Sequence, residues 1–480
     1  MTKIKKVAII GAGPAGLTAA YELTRAGCQV EVFESSNAVG GMAKTISLWG
    51  QLVDLGPHRF FSSDPRVNRL WLEIIGQRYS MVSRLTRIYY QKTFFDYPLK
   101  ALNALFGLCV FQSTLCVTSY LQAKLFPQKD EATFDAWVSN RFGKRLFSIF
   151  FKSYSEKLWG ISCQDLDADF AAQRIKKLSL YEAIKAAVFT GGSKTKHKTL
   201  VDEFAYPHQG AGAVYDLMAA KISNLGGQIH FNTPVDAVIL GQNAGEDPRI
   251  RLVNGEEKSF DHVISSMPIT QLIGRMPVPQ EIKEHASQLT FRNTILVYLQ
   301  VDADSPFPDQ WIYVHSADLQ TGRITNFKNW VPSILNGQPE TILCLEYWCY
   351  DSDPLWTLDE SALIAMATKE INQTGLVAGE QVKAGKVIRV PKCYPVYSTG
   401  YRKHLEPVEQ YLSGLPGLSV IGRYGSFKYN NQDHSILMGL LAAENLTKGT
   451  THNLWDINTD YEYQESCRIT ATGLSWESES

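Results

Sequence analysis

No two of the eight cysteines are spaced as CxxC, and none falls with histidine at a metal-ligand spacing. That excludes a zinc-ribbon type of centre, and Cys28, Cys109, Cys116, Cys163, Cys344, Cys349, Cys393 and Cys467 read as reduced, mostly buried thiols. Neither sign of charge is in surplus: 47 Lys plus Arg meet 48 Asp plus Glu, a formal net charge of -1. Such a balance offers polyanions no general attraction, so nucleic acid is not an expected partner. Long uninterrupted apolar runs are also missing. The most apolar stretch, Leu99–Phe126, is broken by Lys100, Asn103, Gln112, Ser113, Thr114, Ser119, Gln122 and Lys124. A buried helix pair in a substrate lobe is the favoured reading of this stretch, with a face resting on a membrane as the minority one. Met1–Lys6 runs straight into Val7 without the apolar stretch of a secretory leader, which makes the cytoplasm the expected compartment, with peripheral membrane association as its variant.

Internal repeats and low-complexity blocks are absent as well, and no Ser-His-Asp set or carboxylate pair stands at a recognisable spacing. What the chain does have is length. Its 480 residues are enough for two or three lobes with a sizeable interior. Short β-type runs at Lys6–Ile10 and Gln29–Phe33 flank a helical stretch, Gly16–Ala26, in the order of a parallel strand-helix-strand unit. From Arg66 to about Phe189 the pattern turns helical and aromatic, with Pro65 and Pro98 as breakers. Strand signals return at Gly227–Phe231, His262–Ser265, Thr294–Val301, Gln310–His315 and Thr341–Trp348. Leu418–Ile421 precedes a final helix over about Asp433–Leu446, and the tail beyond Gly449 is expected to be loose. The cluster Lys194–Lys198 reads as a solvated loop.

Gly11, Gly13 and Gly16 form GxGxxG at the strand-to-helix turn, where missing side chains permit a tight bend and close backbone approach to a pyrophosphate. Glu34 ends the next strand, at the spacing suited to a ribose diol. Gly40-Gly41 then makes a second close backbone approach, which favours FAD over NAD. Reduced nicotinamide, NADPH or NADH, is expected only as a transient reductant.

Three later segments, Gly226–Val235, Val263–Pro268 and Val420–Arg423, resemble cofactor-lobe pieces of the flavin-dependent amine oxidase superfamily. Within it the chain is most similar to the UDP-galactopyranose mutases. Gly56–Arg66 resembles that family's histidine loop, with His58 against the flavin ring. Tyr154–Gly160, followed by Ala172–Ile175, resembles its nucleotide-sugar segment, and Gly322–Phe327 its diphosphate arginine. Gly422–Asp433 resembles its closing motif. The resemblance implies a catalytic set of His58, Arg174, Arg323, Arg423 and Tyr429, with Tyr154, Trp159 and Asn431 against the substrate. It places Gly11, Gly13, Pro14, Ala15, Gly16, Glu34, Ser35, Gly40, Gly41, Met42, His58, Val235, Gly422, Arg423, Gln432 and Asp433 around the cofactor, and no metal. Asn431 stands where the family's motif usually has an acidic residue, so the local charge differs by one.

The implied fold is α/β: a Rossmann-type FAD-binding domain, discontinuous over 1–65, 200–268 and 400–450. A mainly helical lobe (66–199) and a sheet-rich substrate lobe (269–399) are inserted, and 451–480 forms a tail. The implied reaction is a reduced-flavin isomerisation of a nucleotide-linked sugar, for which arginine forks and a tyrosine suit the diphosphate. The alternative is an oxidoreductase of the amine oxidase and protoporphyrinogen oxidase type, acting on an apolar or lipid-linked substrate. The oligomeric state is left open.

Overall fold

The computed structural model describes residues 5–97, 99, 103, 107–169, 203–241, 246–457, 469–470 and 473–474. Arg174 and the Lys194–Lys198 cluster lie outside the described residues.

Strand β1 (Lys6–Ile10), helix α1 (Pro14–Arg25) and strand β2 (Gln29–Phe33) make the expected parallel unit. Val7, Ala8 and Ile9 are wholly buried: Val7 and Ile9 pack in one core with Leu17 of α1, Ala8 packs in another with Val238 and Ile250 of a three-stranded antiparallel sheet and with Phe260, and a strand covered on both faces must be apolar throughout. The sheet has five parallel strands in the order Leu418–Val420, His262–Ser265, β1, β2, Gln228–His230. Segments far apart in the chain thus rebuild one cofactor lobe. The long helix Gln432–Lys448 packs along α1, burying Ile436, Met438 and Leu441 in the same core as Leu17 and Tyr21.

The second lobe is a seven-stranded sheet in the order Val382–Pro395, Phe291–Val301, Thr341–Cys349, Arg323–Asn326, Trp311–Val314, Thr86–Tyr90, Thr93–Asp96. Side chains alternate across it. Leu343, Leu345 and Tyr347 face the helix Glu360–Thr374, burying Leu363, Ala367 and Ile371. On the other face Leu296, Tyr298 and Cys344 pack toward the cofactor lobe with Val53 and Phe204.

The structure corrects the sequence reading in three places. The stretch after the helix Pro65–Ile75, taken with the helical lobe, folds as strands Tyr79–Ser83, Thr86–Tyr90 and Thr93–Asp96, and the last two extend the large sheet. Thr86, Ile88 and Phe95 are buried, and that burial overrides the helical pattern of their neighbours. Of the expected buried helix pair, residues 100–102 and 104–106 lie outside the described residues, and the second half is an exposed helix, Val110–Leu125, with Cys116 and Tyr120 its buried residues. Val110, Phe111, Leu121, Leu125 and Phe126 face outward, Phe111 at 70% exposure. Among the described residues no helix is long and apolar enough to cross a membrane. Finally, the tail is held as far as Ile457, where the half-buried ammonium of Lys428 donates to the carbonyls of Trp455 and Ile457.

Candidate active site

One cavity of about 620 Å3 runs from the glycine turn to the large sheet, where Thr294, Leu296, Trp311, Arg323 and Glu346 line it. Gly11, Gly13, Pro14, Ala15, Glu34, Ser35, Gly41, Met42, His58, Val235, Arg323, Gly422, Arg423, Tyr429, Asn431 and Gln432 all line it. Residues from six separated parts of the chain therefore meet in one cavity.

At the cofactor end the backbone itself forms the wall. A Cβ on Gly16 would lie 2.0 Å from the carbonyl oxygen of Gly11, so α1 can begin this close to β1 only with glycine there. Gly41, at φ +54°, brings its Cα side against Gly13, where a Cβ would stand 3.2 Å from the Gly13 Cα. Helix α1 has no side-chain cap, which leaves its first-turn amides for an anion. Glu34 straps the turn: its carboxylate accepts from Ala12 N and Ser36 N, both at 2.8 Å. Each carboxylate oxygen accepts more than one bond, so a ribose hydroxyl is still accommodated. Gly16 and Gly40 support this cradle without lining it, and Gly40 N donates to Ala12 O at 2.8 Å. A bare-backbone cleft at a helix N-terminus, opening into a long cavity, fits a flavin dinucleotide.

The helix Gln432–Lys448 also opens its positive end onto the cavity. Asn431 is its cap, and Asn431 N donates to His434 Nδ1 at 3.1 Å. Gln432 Oε1 accepts from Tyr215 at 2.7 Å. Asp433, expected at the cofactor, is buried in the first turn behind the cavity wall.

His58 is held with Nδ1 3.1 Å from the Gly56 carbonyl. A carbonyl only accepts, so Nδ1 carries the proton and Nε2 keeps its lone pair. Burial, with the charges of Arg323 and Arg423, pulls the imidazole down to about 4. A histidine NMR titration is expected to show His58 neutral from pH 8 down to 5, with its midpoint near 4. A midpoint above 6 would mean that the ring is open to water and not faced by the two guanidiniums.

Behind the loop lies Asp54, wholly buried and accepting from Thr45 Oγ1 (2.6 Å), Tyr206 Oη (2.7 Å) and Ala211 N (3.1 Å). Burial raises its carboxyl from 3.8 to about 7. The unfolded carboxyl ionises first, so the native state binds the extra proton and stability falls as pH rises between 3.8 and about 7. Urea midpoints of wild type and Asp54→Asn at pH 5 and pH 8 are expected to differ in slope accordingly, the variant being the flatter.

At the far end the side chains do the shaping. Arg323 and Glu346 are direct partners across antiparallel strands and join through two short bonds, Nε to Oε1 at 2.6 Å and Nη2 to Oε2 at 2.5 Å. Removing one member of such a buried pair typically costs about 3–5 kcal/mol. Arg423 donates Nε to Cys393 O (3.1 Å) and Nη1 to Asn430 O (2.9 Å), and lies 4.4 Å from the Tyr429 ring and 4.8 Å from that of Tyr394. Tyr394 and Tyr429 stack at 5.4 Å.

Two expected substrate contacts lie one layer back. Trp159, 0% exposed, packs beneath Tyr394, Tyr397 and Tyr429, since its large ring fills the space behind the tyrosines. Tyr154 stacks on His315 and meets Tyr313 edge-on, and it is Tyr313 that reaches the cavity. Glu346, Tyr394, Tyr313, Arg59 and Lys392 line the cavity without having been singled out. Glu346 did leave a signal: it is the lone charge in the buried run Thr341–Cys349.

The profile of flavin-containing amine oxidoreductases matches residues 14–447. The 4,4'-diapophytoene desaturase (4,4'-diapolycopene-forming) of Methylomonas sp. is 23% identical over 368 residues, 68% of this chain and 67% of that protein. The protoporphyrinogen oxidase 2 of Arabidopsis thaliana is 39% identical over 74 residues, 15% of this chain and only 14% of that protein. The crystal structure of reduced UDP-galactopyranose mutase superposes with a TM-score of 0.84 at 22% identity, covering 95% of this chain and 99% of that one. With the glycine cradle, the strapped acidic residue and a match over nearly its whole length, the chain belongs to the flavin-containing amine oxidoreductase family and is a flavoenzyme.

Proposed function

We propose that the chain binds FAD and acts on a nucleotide-linked sugar, as its likeness to the mutase suggests. The observation that carries this reading is that Arg323, Arg423 and Tyr429 line the same cavity as the glycine turn. Cations also outnumber carboxylates along that cavity: Arg59, Arg275, Arg323, Lys392 and Arg423 against Glu34 and Glu346. The pyrophosphate of one dinucleotide offsets two of the positive charges, and the remainder suits a second anionic ligand. A bound reduced flavin supplies an electron-rich ring nitrogen able to attack an electrophilic carbon.

The chain's own residues do the rest. Arg423 sets a fixed positive charge at the tyrosine pair, and its two carbonyl anchors keep the guanidinium from following a ligand out. Tyr394 and Tyr429 give a flat platform for a ring. Neutral His58 offers a lone pair on Nε2 and no proton. Arg323, its fork shared with Glu346, contributes direction more than net charge.

The same Arg323–Glu346 pairing favours the second reading, an oxidoreductase that takes electrons from an apolar substrate, for which the exposed face of Val110–Phe126 would offer a path from a lipid surface. One experiment separates the two. Dithionite-reduced enzyme is incubated with UDP-galactopyranose and the ring forms are separated; oxidised enzyme is mixed anaerobically with apolar polyene donors while absorbance near about 450 nm is followed. A furanose product supports the first reading. Bleaching without ring isomerisation supports the second and removes the first.

A further inference from the structure

Seven described residues other than glycine have positive φ. Trp49, Gln91 and Lys92 occupy hairpin tips, where the turn demands it, and Asn232 and Asn336 are of a type that tolerates it. Phe427 follows the short helix Gly422–Gly425. Lys392, at φ +55°, is different, because it stands inside the strand Val382–Pro395.

The neighbouring strand shows why. Arg292 pairs with Tyr394 and Thr294 with Val390, so Pro391, Lys392 and Cys393 together oppose the single residue Asn293. The bulge is held by side-chain bonds in place of the ladder: Lys392 N donates to Asn293 Oδ1 at 2.8 Å, and Asn293 Nδ2 donates to Asp351 Oδ1 at 2.5 Å. A bulge beside a cavity re-aims a side chain. Here Lys392 lines the cavity, next to the carbonyl of Cys393 that anchors Arg423. Its ammonium lies 5.6 Å from the centre of the Phe291 ring and forms no ion pair among the described residues.

We propose that the bulge presents Lys392 as a cation for an anionic oxygen inside this cavity, and that its backbone strain is retained for that purpose. The proposal rests on the reading that the cavity holds a flavin and an anionic ligand. The anionic oxygen has two sources: the flavin ring once reduced, or a phosphate of the second ligand. A functional lysine at a strained position separates stability from ligand binding, because glycine relieves the strain while removing the charge.

The test compares wild type with Lys392→Gly, Lys392→Met and Lys392→Arg. Thermal melts of the apoprotein are expected to rise for Lys392→Gly alone. Potentiometry of the FAD-loaded proteins reads the first source: Lys392→Met is expected to weaken reduced relative to oxidised flavin at least tenfold, which lowers a two-electron potential by about 30 mV. Titration with UDP reads the second, where a tenfold or larger loss of affinity is expected. Lys392→Arg should retain most of whichever property moves. If Lys392→Met and Lys392→Gly leave both properties within twofold of wild type, or if Lys392→Gly melts below wild type, the proposal is overturned. Wild type that binds no UDP would remove the nucleotide-sugar reading, and the potential would still decide the role of Lys392.

Discussion

Gly11→Ala is expected to give a colourless protein whose affinity for added FAD is at least 100-fold lower than that of wild type. Gly11 has φ +97°, and an alanine Cβ there would lie 2.4 Å from Ser266 Oγ. That hydroxyl cannot simply turn aside, because it donates to Ile10 O at 2.9 Å and ties the end of β1 to the neighbouring strand. The left-handed backbone adds roughly 1–2 kcal/mol for a residue with a Cβ. Relief requires the strand ends to part, and the cradle amides move with them. A melting temperature lower by several degrees should accompany the loss. Gly13→Ala separates the two effects: its φ is ordinary, and its Cβ would meet only the Gly41 Cα at 3.9 Å. That variant should melt like wild type without cofactor and still bind FAD weakly, since the added methyl projects into the cleft. Yellow Gly11→Ala protein with wild-type affinity would mean that the dinucleotide lies elsewhere.

Arg423→Met is expected to lower turnover by about 10²- to 10³-fold, the usual effect of deleting one preorganised charge from a reacting centre. The guanidinium satisfies the carbonyls of Cys393 and Asn430 and lies close to both tyrosine rings. Methionine fills similar space but removes the guanidinium's two donations and leaves the tyrosine pair without its cation, worth about 0.5–2 kcal/mol for each ring contact. Lysine does not repair this, because one ammonium lacks the planar fork that reaches both carbonyls. Arg423→Lys should therefore remain more than tenfold below wild type. FAD content measured in parallel separates a lost cofactor from a lost catalyst. Turnover within threefold of wild type, at full FAD content, would place the chemistry away from Arg423.

Much of this site was legible in the sequence because it depends on local constraints. Gly11, Gly13 and Gly16 announce a phosphate-binding turn by spacing alone, since a strand, a tight bend and a helix leave no other residue type for those places. The Gly422–Asp433 stretch was legible only through its resemblance to the mutase closing motif, and its Arg423, Tyr429 and Asn431 all line the cavity. Trp159 was harder: one tryptophan in an aromatic segment reads alike whether its ring faces a ligand or the layer behind it. The strands at 86–96 escaped because they are edge additions to a sheet whose centre lies some 200 residues on, and only that sheet makes them strands.

Sequence alone determined the strand-turn-helix start of the cofactor lobe, because short-range backbone geometry dictates where glycine must stand, and its resemblance to a known family implied the lobe's later pieces. Tertiary structure alone decided charge and conformation at the reacting end. Strand register sets Glu346 opposite Arg323 and turns an isolated arginine into a closed pair. A mismatch between two strands turns Lys392 into the cavity. Both are properties of neighbours that meet across the sheet, and no window along the chain contains them.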